Sequence, residues 1–259
     1  MKPSNIDTLE TLQSFYETKC TNHSEVKSFI KDFSNFTFQH SDYAQIQMHS
    51  QLIDLILDSN ACDIEEQMTE IAREKWPDGS VRTWGRNSHD GVQTYIGLCP
   101  EQLQTPYGEF ANIIEVASPK QGDVVVDLGA GHGRLGLVCH AYDQGIEFRG
   151  LEYVEQRVQE GNRLFETFDL SLCKMEQQDL SCPNFIMPAA DLYFMYEYGD
   201  MTHVNHSLNQ LQEISKNRNF RIVCRGRGSN NLIWSKHPWL TVFDSIQLEN
   251  SVIYSTSGD

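Results

Sequence analysis

The 259-residue sequence lacks several features that mark large classes of protein. None of its apolar runs approaches the roughly 18 to 20 residues that a membrane-spanning helix requires. Its seven cysteines are widely scattered and include no C-x-x-C pair, which argues against a disulfide framework and against a zinc site. No apolar run follows Met1, so we expect no secretory signal. These absences predict a cytoplasmic protein that holds no metal ion.

A basic tract is also missing. Acidic residues outnumber basic residues by 36 to 20, and the formal net charge is -16. A nucleic-acid-binding surface normally carries a stripe of lysine and arginine that neutralises phosphates. We therefore expect neither a nucleic-acid partner nor a membrane partner, and a substrate that is neutral or basic. The sequence leaves the oligomeric state open.

The chain has two regions of different pattern. Up to residue 75 it predicts four helices, each with a serine or aspartate suited to cap it: Asp7–Thr18, Ser24–Phe33, Asp42–Asp58 and Asp63–Lys75. Trp76-Pro77-Asp78-Gly79 then breaks the helical pattern, and residues 79–107 predict loop or short strand. We expect residues 1–104 to form an α-helical cap and loop region, because short helices need another surface to pack on.

Residues 105–259 alternate between strands and helices. After a helix at about 108–117 and a strand that begins at Val124, the predicted strands are Glu147–Glu152, Leu170–Gln177, Ala190–Tyr196 and Phe220–Cys224. Strands separated by helices of roughly 10 to 15 residues predict a doubly wound, parallel sheet. Two further segments, Leu240–Leu248 and Ser251–Ser255, flank Glu249-Asn250 and predict an antiparallel hairpin at the end of the sheet.

The most informative segment follows the first strand. There Asp127 precedes three alternating glycines, at 129, 131 and 133, which let a ligand approach the bare backbone. Because Gly136 follows, the segment also matches the dinucleotide signature G-x-G-x-x-G. The glycines alone therefore leave two kinds of ligand open: an adenosine with an amino acid tail, or a dinucleotide such as NAD.

Carboxylates at the strand ends favour the first of these ligands. Glu152 ends the second strand at the interval where a carboxylate receives ribose hydroxyls in both cases. Asp179 follows the third strand, where it would accept the exocyclic amine of adenine. Asp127 would repel a pyrophosphate and attract an ammonium group. S-adenosylmethionine satisfies these carboxylates and the glycines together.

In these residues the sequence resembles the class I S-adenosylmethionine-dependent methyltransferases. Residues 127–133 match the first motif, Glu152 the second and Asp179 the third, and the resemblance covers roughly residues 105–259. It implies a Rossmann-like, mostly parallel sheet of seven strands with an antiparallel C-terminal hairpin. It also implies the following cofactor contacts: Asp127 at the methionine amino group, Gly129, Ala130 and Gly131 along the methionine and ribose, Glu152 at the ribose hydroxyls, and Asp179 with Leu180 at the adenine.

Three further residues are candidates on weaker grounds. Tyr153 would either stack beside the adenine or serve as an ordinary packed aromatic. Tyr107-Gly108-Glu109 is similar to an element of the non-SET histone-lysine methyltransferases, where it helps to bind the cofactor. That similarity nominates Tyr107 and Glu109 as cofactor neighbours, although the two would also suit a helix cap. The chain lacks the basic tract expected of a nucleosome binder.

The methyl acceptor is expected at the end of the fourth strand. There Tyr196, Glu197 and Tyr198 would form an aromatic and anionic wall for a cationic amine, and we nominate them as catalytic residues. His89, His203 and His206 are possible bases. The sequence thus predicts a methyltransferase that acts on a protein side chain or a small molecule. Two alternatives stay open: an NAD-dependent oxidoreductase, and a non-catalytic S-adenosylmethionine-binding protein.

Overall fold

The N-terminal part of the chain is helical. The computed structural model describes residues 5–19, 22–75, 86–89, 92–95 and 103–257. The first helices are α1 (Asn5–Lys19), α2 (His23–Ile30), α3 (Tyr43–Ile56) and α4 (Ala61–Lys75). An antiparallel pair of strands follows, formed by β1 (Arg86–His89) and β2 (Val92–Tyr95). The predicted break at 76–79 lies outside the described residues.

The remainder of the chain alternates between helices and strands. Its elements, in chain order, are α5 (Tyr107–Ala117), β3 (Val124–Leu128), α6 (Arg134–Tyr142), β4 (Glu147–Glu152), α7 (Glu155–Thr167), β5 (Cys173–Gln177), β6 (Leu192–Tyr196), α8 (Met201–Ser215), β7 (Arg221–Arg225), α9 (Arg227–Lys236), β8 (Ser245–Gln247) and β9 (Ser251–Ser255). The strands predicted from apolar runs are all present. Outside the final hairpin, their bounds differ from the predicted ones by up to three residues.

Seven of these strands form one sheet in the order β5-β4-β3-β6-β7-β9-β8. The five strands from β3 to β7 are parallel, whereas β9 runs antiparallel to β7 and β8 runs antiparallel to β9. The predicted sheet with its C-terminal hairpin is therefore confirmed. Its strand order reverses beside β3, and in an open α/β sheet ligands bind at the carboxyl ends of the strands at that point.

Both faces of the sheet are covered. Because side chains alternate along a strand, Val125 of β3 belongs to one apolar core and Val126 to the other. The first core contains residues of α5, α6 and α7, and the second contains residues of α8 and α9. Helices on both faces make the sheet doubly wound, as the alternation of elements predicts.

The N-terminal helices share the first of these cores. Leu12 of α1, Ile30 of α2 and Ile53 of α3 are buried in the same cluster as Ile113 of α5 and Leu137 of α6. They therefore cover the helices on one face of the sheet. None of the helices in the described part of the chain has the length and apolar character needed to cross a membrane.

The structure corrects two details near the C-terminus. Helix α9 is not predicted by the sequence, since its first residues, Arg227-Gly228-Ser229-Asn230, show no apolar periodicity and its N-terminus has no local side-chain cap. The segment expected as strand Leu240–Leu248 is a strand only over Ser245–Gln247, and Leu240 belongs to a 3₁₀ turn formed by Pro238–Leu240.

Replacing Gly136 by Ala is expected to lower the free energy of unfolding. A Cβ at this position in α6 would lie 2.6 Å from ring atoms of Phe148 and Phe165. Alanine normally stabilises a helix interior by about 1 kcal/mol relative to glycine, whereas overpacking a core costs about 1 to 3 kcal/mol. Urea unfolding should therefore show a net loss, and a gain in stability would contradict the packing described here. Gln159→Ala, on the exposed face of α7, is the control.

Candidate functional site

A cavity lies at the carboxyl edge of the sheet, at the reversal of strand order. It is lined by residues that follow β3, β4, β5 and β6, because parallel strands bring their carboxyl ends to one edge. The predicted site residues that line it are Gly129, Gly131, Glu152, Tyr153, Asp179, Leu180, Tyr196 and Tyr198. The structure thus brings together most of the residues nominated from separate motifs.

The loop after β3 passes close to its neighbours. Gly129 has a φ of +80°, and a Cβ there would lie 2.2 Å from the Cβ of Tyr198. The N–H groups of Gly129 and Ala130 donate to the carbonyl of Leu151, at 2.8 and 3.1 Å. The left-handed backbone and the close approach both require glycine at position 129. Ala130, whose N–H points to Leu151, is not part of the cavity lining.

Glu152 is held by backbone N–H groups on both sides. Its Oε2 accepts a hydrogen bond of 2.9 Å from the N–H of Gly131, and its Oε1 accepts one of 3.0 Å from the N–H of Val154. Nη1 of Arg157 lies 3.7 Å from the same Oε1. Each carboxylate oxygen accepts two hydrogen bonds. The carboxylate is therefore fixed in orientation and still has acceptor capacity.

Asp179 is positioned by a turn after β5. Its Oδ1 accepts hydrogen bonds from the N–H and the hydroxyl of Ser181, at 2.8 and 2.6 Å. Aspartate side chains commonly stabilise a turn of this kind through the backbone two residues ahead. The carboxylate is half-buried at the cavity wall, next to the buried side chain of Leu180.

Asp127 lies beneath the glycine loop. Its side chain is 3% exposed, and it is not one of the residues that line the cavity. Burial raises the pKa of this carboxyl well above its usual value, and the nearby carboxylate of Glu152 raises it further. Asp127 is therefore a buried acid next to the site, and its surroundings favour the protonated form.

The structure keeps Tyr107 and Glu109 outside the cavity. The hydroxyl of Tyr107 donates to Oδ1 of Asp54 at 2.9 Å, and its ring is fully buried. Glu109 accepts two hydrogen bonds from the guanidinium of Arg225, at 2.7 and 3.0 Å. Both side chains connect helix α5 to neighbouring elements, and neither lines the cavity.

At the end of β6, one of the nominated residues faces a different partner. Glu197 has a φ of +35°, which is uncommon for a residue with a side chain. Its Oε1 accepts hydrogen bonds from the N–H groups of Gly228 and Ser229, at 2.7 and 3.4 Å. The carboxylate thus caps helix α9 at its positive end. It does not line the cavity, and it supplies the cap that the sequence of α9 lacks.

Tyr196 and Tyr198 line the cavity, but each also has a partner inside the protein. The guanidinium of Arg225 lies 4.2 Å from the ring centroid of Tyr196, so one face of this ring already contacts a cation. The hydroxyl of Tyr198 donates to Oγ of Ser207 at 2.6 Å. Burial raises the pKa of this hydroxyl, so Tyr198 stays protonated at neutral pH.

The three histidines considered as bases have different surroundings. His203, in the first turn of α8, lines the cavity beside Tyr196 and Tyr198. His206 interacts with Gln210 at 2.9 Å. His89 belongs to β1, and its side chain lies outside the described residues. Of the two whose side chains are described, His203 lies at the site and His206 does not.

Sequence reasoning missed six polar residues of the cavity lining: Glu65, Gln104, His132, Arg157, Gln178 and Ser181. Nε2 of Gln104 lies 2.8 Å from Nδ1 of His132. Burial, then the positive charges of Arg157 and Arg134, lowers the pKa of His132, so its ring is neutral. One signal was present in the sequence: Arg157 shares the apolar face of α7 with Val158 and Gly161. A charge on such a face indicates a buried partner.

Comparison with known proteins adds a likeness to solved structures. No protein-family model and no curated protein matches the chain. The chain is similar to an RNA methyltransferase from Salinibacter ruber in complex with S-adenosyl-L-homocysteine, at 20% identity and a TM-score of 0.43, over 59% of this chain and 91% of that one. It is also similar to the C-terminal domain of precorrin-6Y C5,15-methyltransferase from Rhodobacter capsulatus, at 16% identity and a TM-score of 0.44, over 59% and 89%. An S-adenosylmethionine-dependent O-methyltransferase from Thermotoga maritima has 14% identity and a TM-score of 0.43, over 60% and 67%.

The fold itself is given by the strand order. The sheet of seven strands, parallel except for the antiparallel C-terminal pair, is the one that the resemblance to class I methyltransferases implied. The chain therefore has the Rossmann-like fold of the class I S-adenosylmethionine-dependent methyltransferases.

Replacing Asp127 by Asn is expected to stabilise the ligand-free protein at neutral pH. Because the pKa of Asp127 is raised, the native state holds this proton more tightly than the unfolded state does. As the pH rises above 3.8, the usual pKa of this group, ionisation of Asp127 in the unfolded state therefore lowers the stability of the fold progressively. Between that pKa and the raised pKa of the native state, each pH unit lowers the free energy of unfolding by about 1.4 kcal/mol.

Urea unfolding between about pH 4 and about pH 8 measures this effect. The stability gained by the Asn variant should be smallest at the acid end and should increase with pH until it levels off. Asp244→Asn, at an exposed position, provides the reference. A variant that is less stable than the wild type at neutral pH would show that the buried carboxylate is compensated within the fold.

Proposed function

We propose that this protein is a methyltransferase that uses S-adenosylmethionine. One observation carries the proposal: the glycine loop after β3, the carboxylate of Glu152 at the end of β4 and the carboxylate of Asp179 after β5 line one cavity. A bare backbone and two acids at the ends of adjacent strands suit an adenosine with a cationic tail. When bound, S-adenosylmethionine supplies a methyl group on a positively charged sulfur.

The residues present fit this cofactor. Gly129 lets the loop pack against Tyr198, and Gly131 presents no side chain to the space that the amino acid tail would occupy. Glu152 has remaining acceptor capacity for the two ribose hydroxyls. Oδ2 of Asp179 would accept the adenine amine, since Oδ1 is occupied by Ser181. The buried acid Asp127 would attract the ammonium group of the tail.

Binding is expected to widen the cavity. Its volume is about 80 Å³, below the roughly 300 Å³ at which ligand pockets usually begin. The strand ends and the glycine loop are fixed by the hydrogen bonds of the sheet. The opposite wall contains Leu103 and Gln104, which precede α5 and belong to no strand. We expect this wall to move outward when the cofactor enters.

The acceptor would approach from the side of β6 and β7. A groove of about 590 Å³ opens there, between α5, the 249–250 turn and the segment before α3. Its lining includes Glu109, whose partner Arg225 contacts the ring of Tyr196 in the cofactor cavity. Arg225 thus connects the lining of the groove to the wall of the cavity. Residues 38–41 form one wall of it, so the N-terminal helical region would shape the acceptor site.

The protein's contribution to catalysis would be mainly alignment. Methyl transfer is an in-line displacement, and holding the reacting atoms in line supplies a large part of the rate. Tyr196, which lines the cavity and is connected to the groove residue Glu109 through Arg225, would orient the acceptor. His203 would accept a proton from an acceptor atom that must lose one. The protein side chain or small molecule that serves as the acceptor is expected to be neutral or basic.

A thermal-shift panel tests the cofactor. S-adenosylmethionine and S-adenosylhomocysteine should raise the melting temperature, and NAD and NADP should not. Asp127→Asn should lose most of this shift although the ligand-free variant is itself more stable, because the carboxylate that attracts the ammonium group is gone. A more stable ligand-free variant that nevertheless loses the ligand-induced shift has lost binding and has not been damaged in its fold. Stabilisation by NAD alone would refute the proposal and favour an oxidoreductase.

Filling the groove is expected to abolish methyl transfer without affecting cofactor binding. Asn112→Trp places a large ring in the groove, whereas Glu115→Trp places it on the exposed face of the same helix and serves as the control. Transfer of a tritiated methyl group into a cell lysate separated by size measures activity, and it shows whether the acceptor is a protein, a nucleic acid or a metabolite. S-adenosylhomocysteine binding by calorimetry should be the same in both variants. Transfer that survives in Asn112→Trp would place the acceptor elsewhere. A wild type that binds the cofactor but transfers no methyl group would favour a non-catalytic binding protein.

A further inference from the structure

We propose that Glu65 of helix α4 is a positioning residue of the cofactor site, acting on Glu152 through Arg157. This inference rests on the proposed function, because it assigns Glu152 to the ribose hydroxyls. It extends the site beyond the strand ends to the N-terminal helices. It also gives a specific purpose to a group of charges that is otherwise costly to bury.

The three side chains form a continuous buried chain. Oε1 and Oε2 of Glu65 accept hydrogen bonds from Nε and Nη2 of Arg157, at 2.7 and 3.0 Å. Nη1 of the same guanidinium lies 3.7 Å from Oε1 of Glu152. The exposed fractions are 2% for Glu65, 7% for Arg157 and 5% for Glu152. All three residues line the cavity, so their arrangement is part of its wall.

The distances show how the guanidinium is shared. Arg157 makes two short hydrogen bonds with Glu65 and only a longer approach to Glu152. A planar guanidinium matches one carboxylate with two parallel bonds. Glu65 therefore holds Arg157 at a distance from Glu152 at which the positive charge still stabilises the carboxylate. The lone pairs of Glu152 that the N–H groups of Gly131 and Val154 do not occupy are left for a ligand.

Without the charge of Glu65, this balance would change. The carboxylate of Glu152, 3.7 Å from Nη1, would then draw the guanidinium toward itself, since attraction in a buried site is strong. The guanidinium would then pair directly with Glu152 and occupy the positions that ribose hydroxyls need. The loss should therefore concern the hydroxyl groups of the ligand and spare its other parts.

The test compares two ligands on the full-length protein. Calorimetry measures the affinity for S-adenosylhomocysteine and for its analogue that lacks both ribose hydroxyls. Glu65→Gln should weaken S-adenosylhomocysteine binding by about tenfold and leave the affinity for the analogue nearly unchanged. A role in folding alone would lower both affinities alike. Arg157→Lys keeps a positive charge but not the paired geometry, so it should show the same selective loss and serves as the second variant if Glu65→Gln fails to fold.

Glu160→Gln is the matched control. Glu160 is also a buried glutamate between α7 and the start of α4, where it accepts a hydrogen bond of 2.7 Å from the N–H of Asn60. It is not one of the cavity residues, so its substitution should not change the ratio of the two affinities. An equal loss for both ligands in Glu65→Gln and Arg157→Lys, or no loss in either variant, would overturn the inference. A wild type that binds neither ligand would refute the proposed function itself, before any variant is made.

Discussion

The site depends on the hydrogen bonds that fix the carboxylate of Glu152. The N–H of Gly131 reaches it from the loop after β3, and the N–H of Val154 reaches it from the start of α7. One side chain at the end of β4 thus connects the glycine loop to the following helix. The loop can keep its left-handed turns only because glycine accepts them without strain. The geometry of the cavity follows from this connection.

Buried charge is the second constraint on this region. Glu65, Arg157 and Glu152 lie together, and Asp54 forms a buried ion pair with Arg134 at the start of α6. Burying charges costs free energy that pairing only partly returns, so such groups are weak evidence for stability alone. Here both ion pairs, Glu65 with Arg157 and Asp54 with Arg134, join an N-terminal helix to the part of the chain that surrounds the glycine loop. The N-terminal region therefore contributes to the position of the loop and not only to the apolar core.

The sequence allowed much of the site to be predicted, for a reason specific to parallel sheets. Gly129, Glu152 and Asp179 each follow an apolar strand, and parallel strands end at one edge, so their proximity follows from topology. The roles of Glu197, Tyr107 and Glu109 could not be predicted in this way. Glu197 caps a helix whose first residues carry no cap signal, and the other two pair with side chains far away in the chain. Such pairings have no local pattern.

By itself, the sequence determined the class of fold, the order of the strands with all helices but α9, and the strand-end residues nominated for the cofactor. Those features are set by local periodicity and by spacing along the chain, which a sequence displays directly. Only the tertiary structure decided which carboxylates are held by the protein and which acceptor positions stay available to a ligand. It also brought Glu65 to Arg157 across 92 positions of the chain. Contacts between distant segments depend on how helices pack on the sheet, and packing leaves no periodic trace in the sequence.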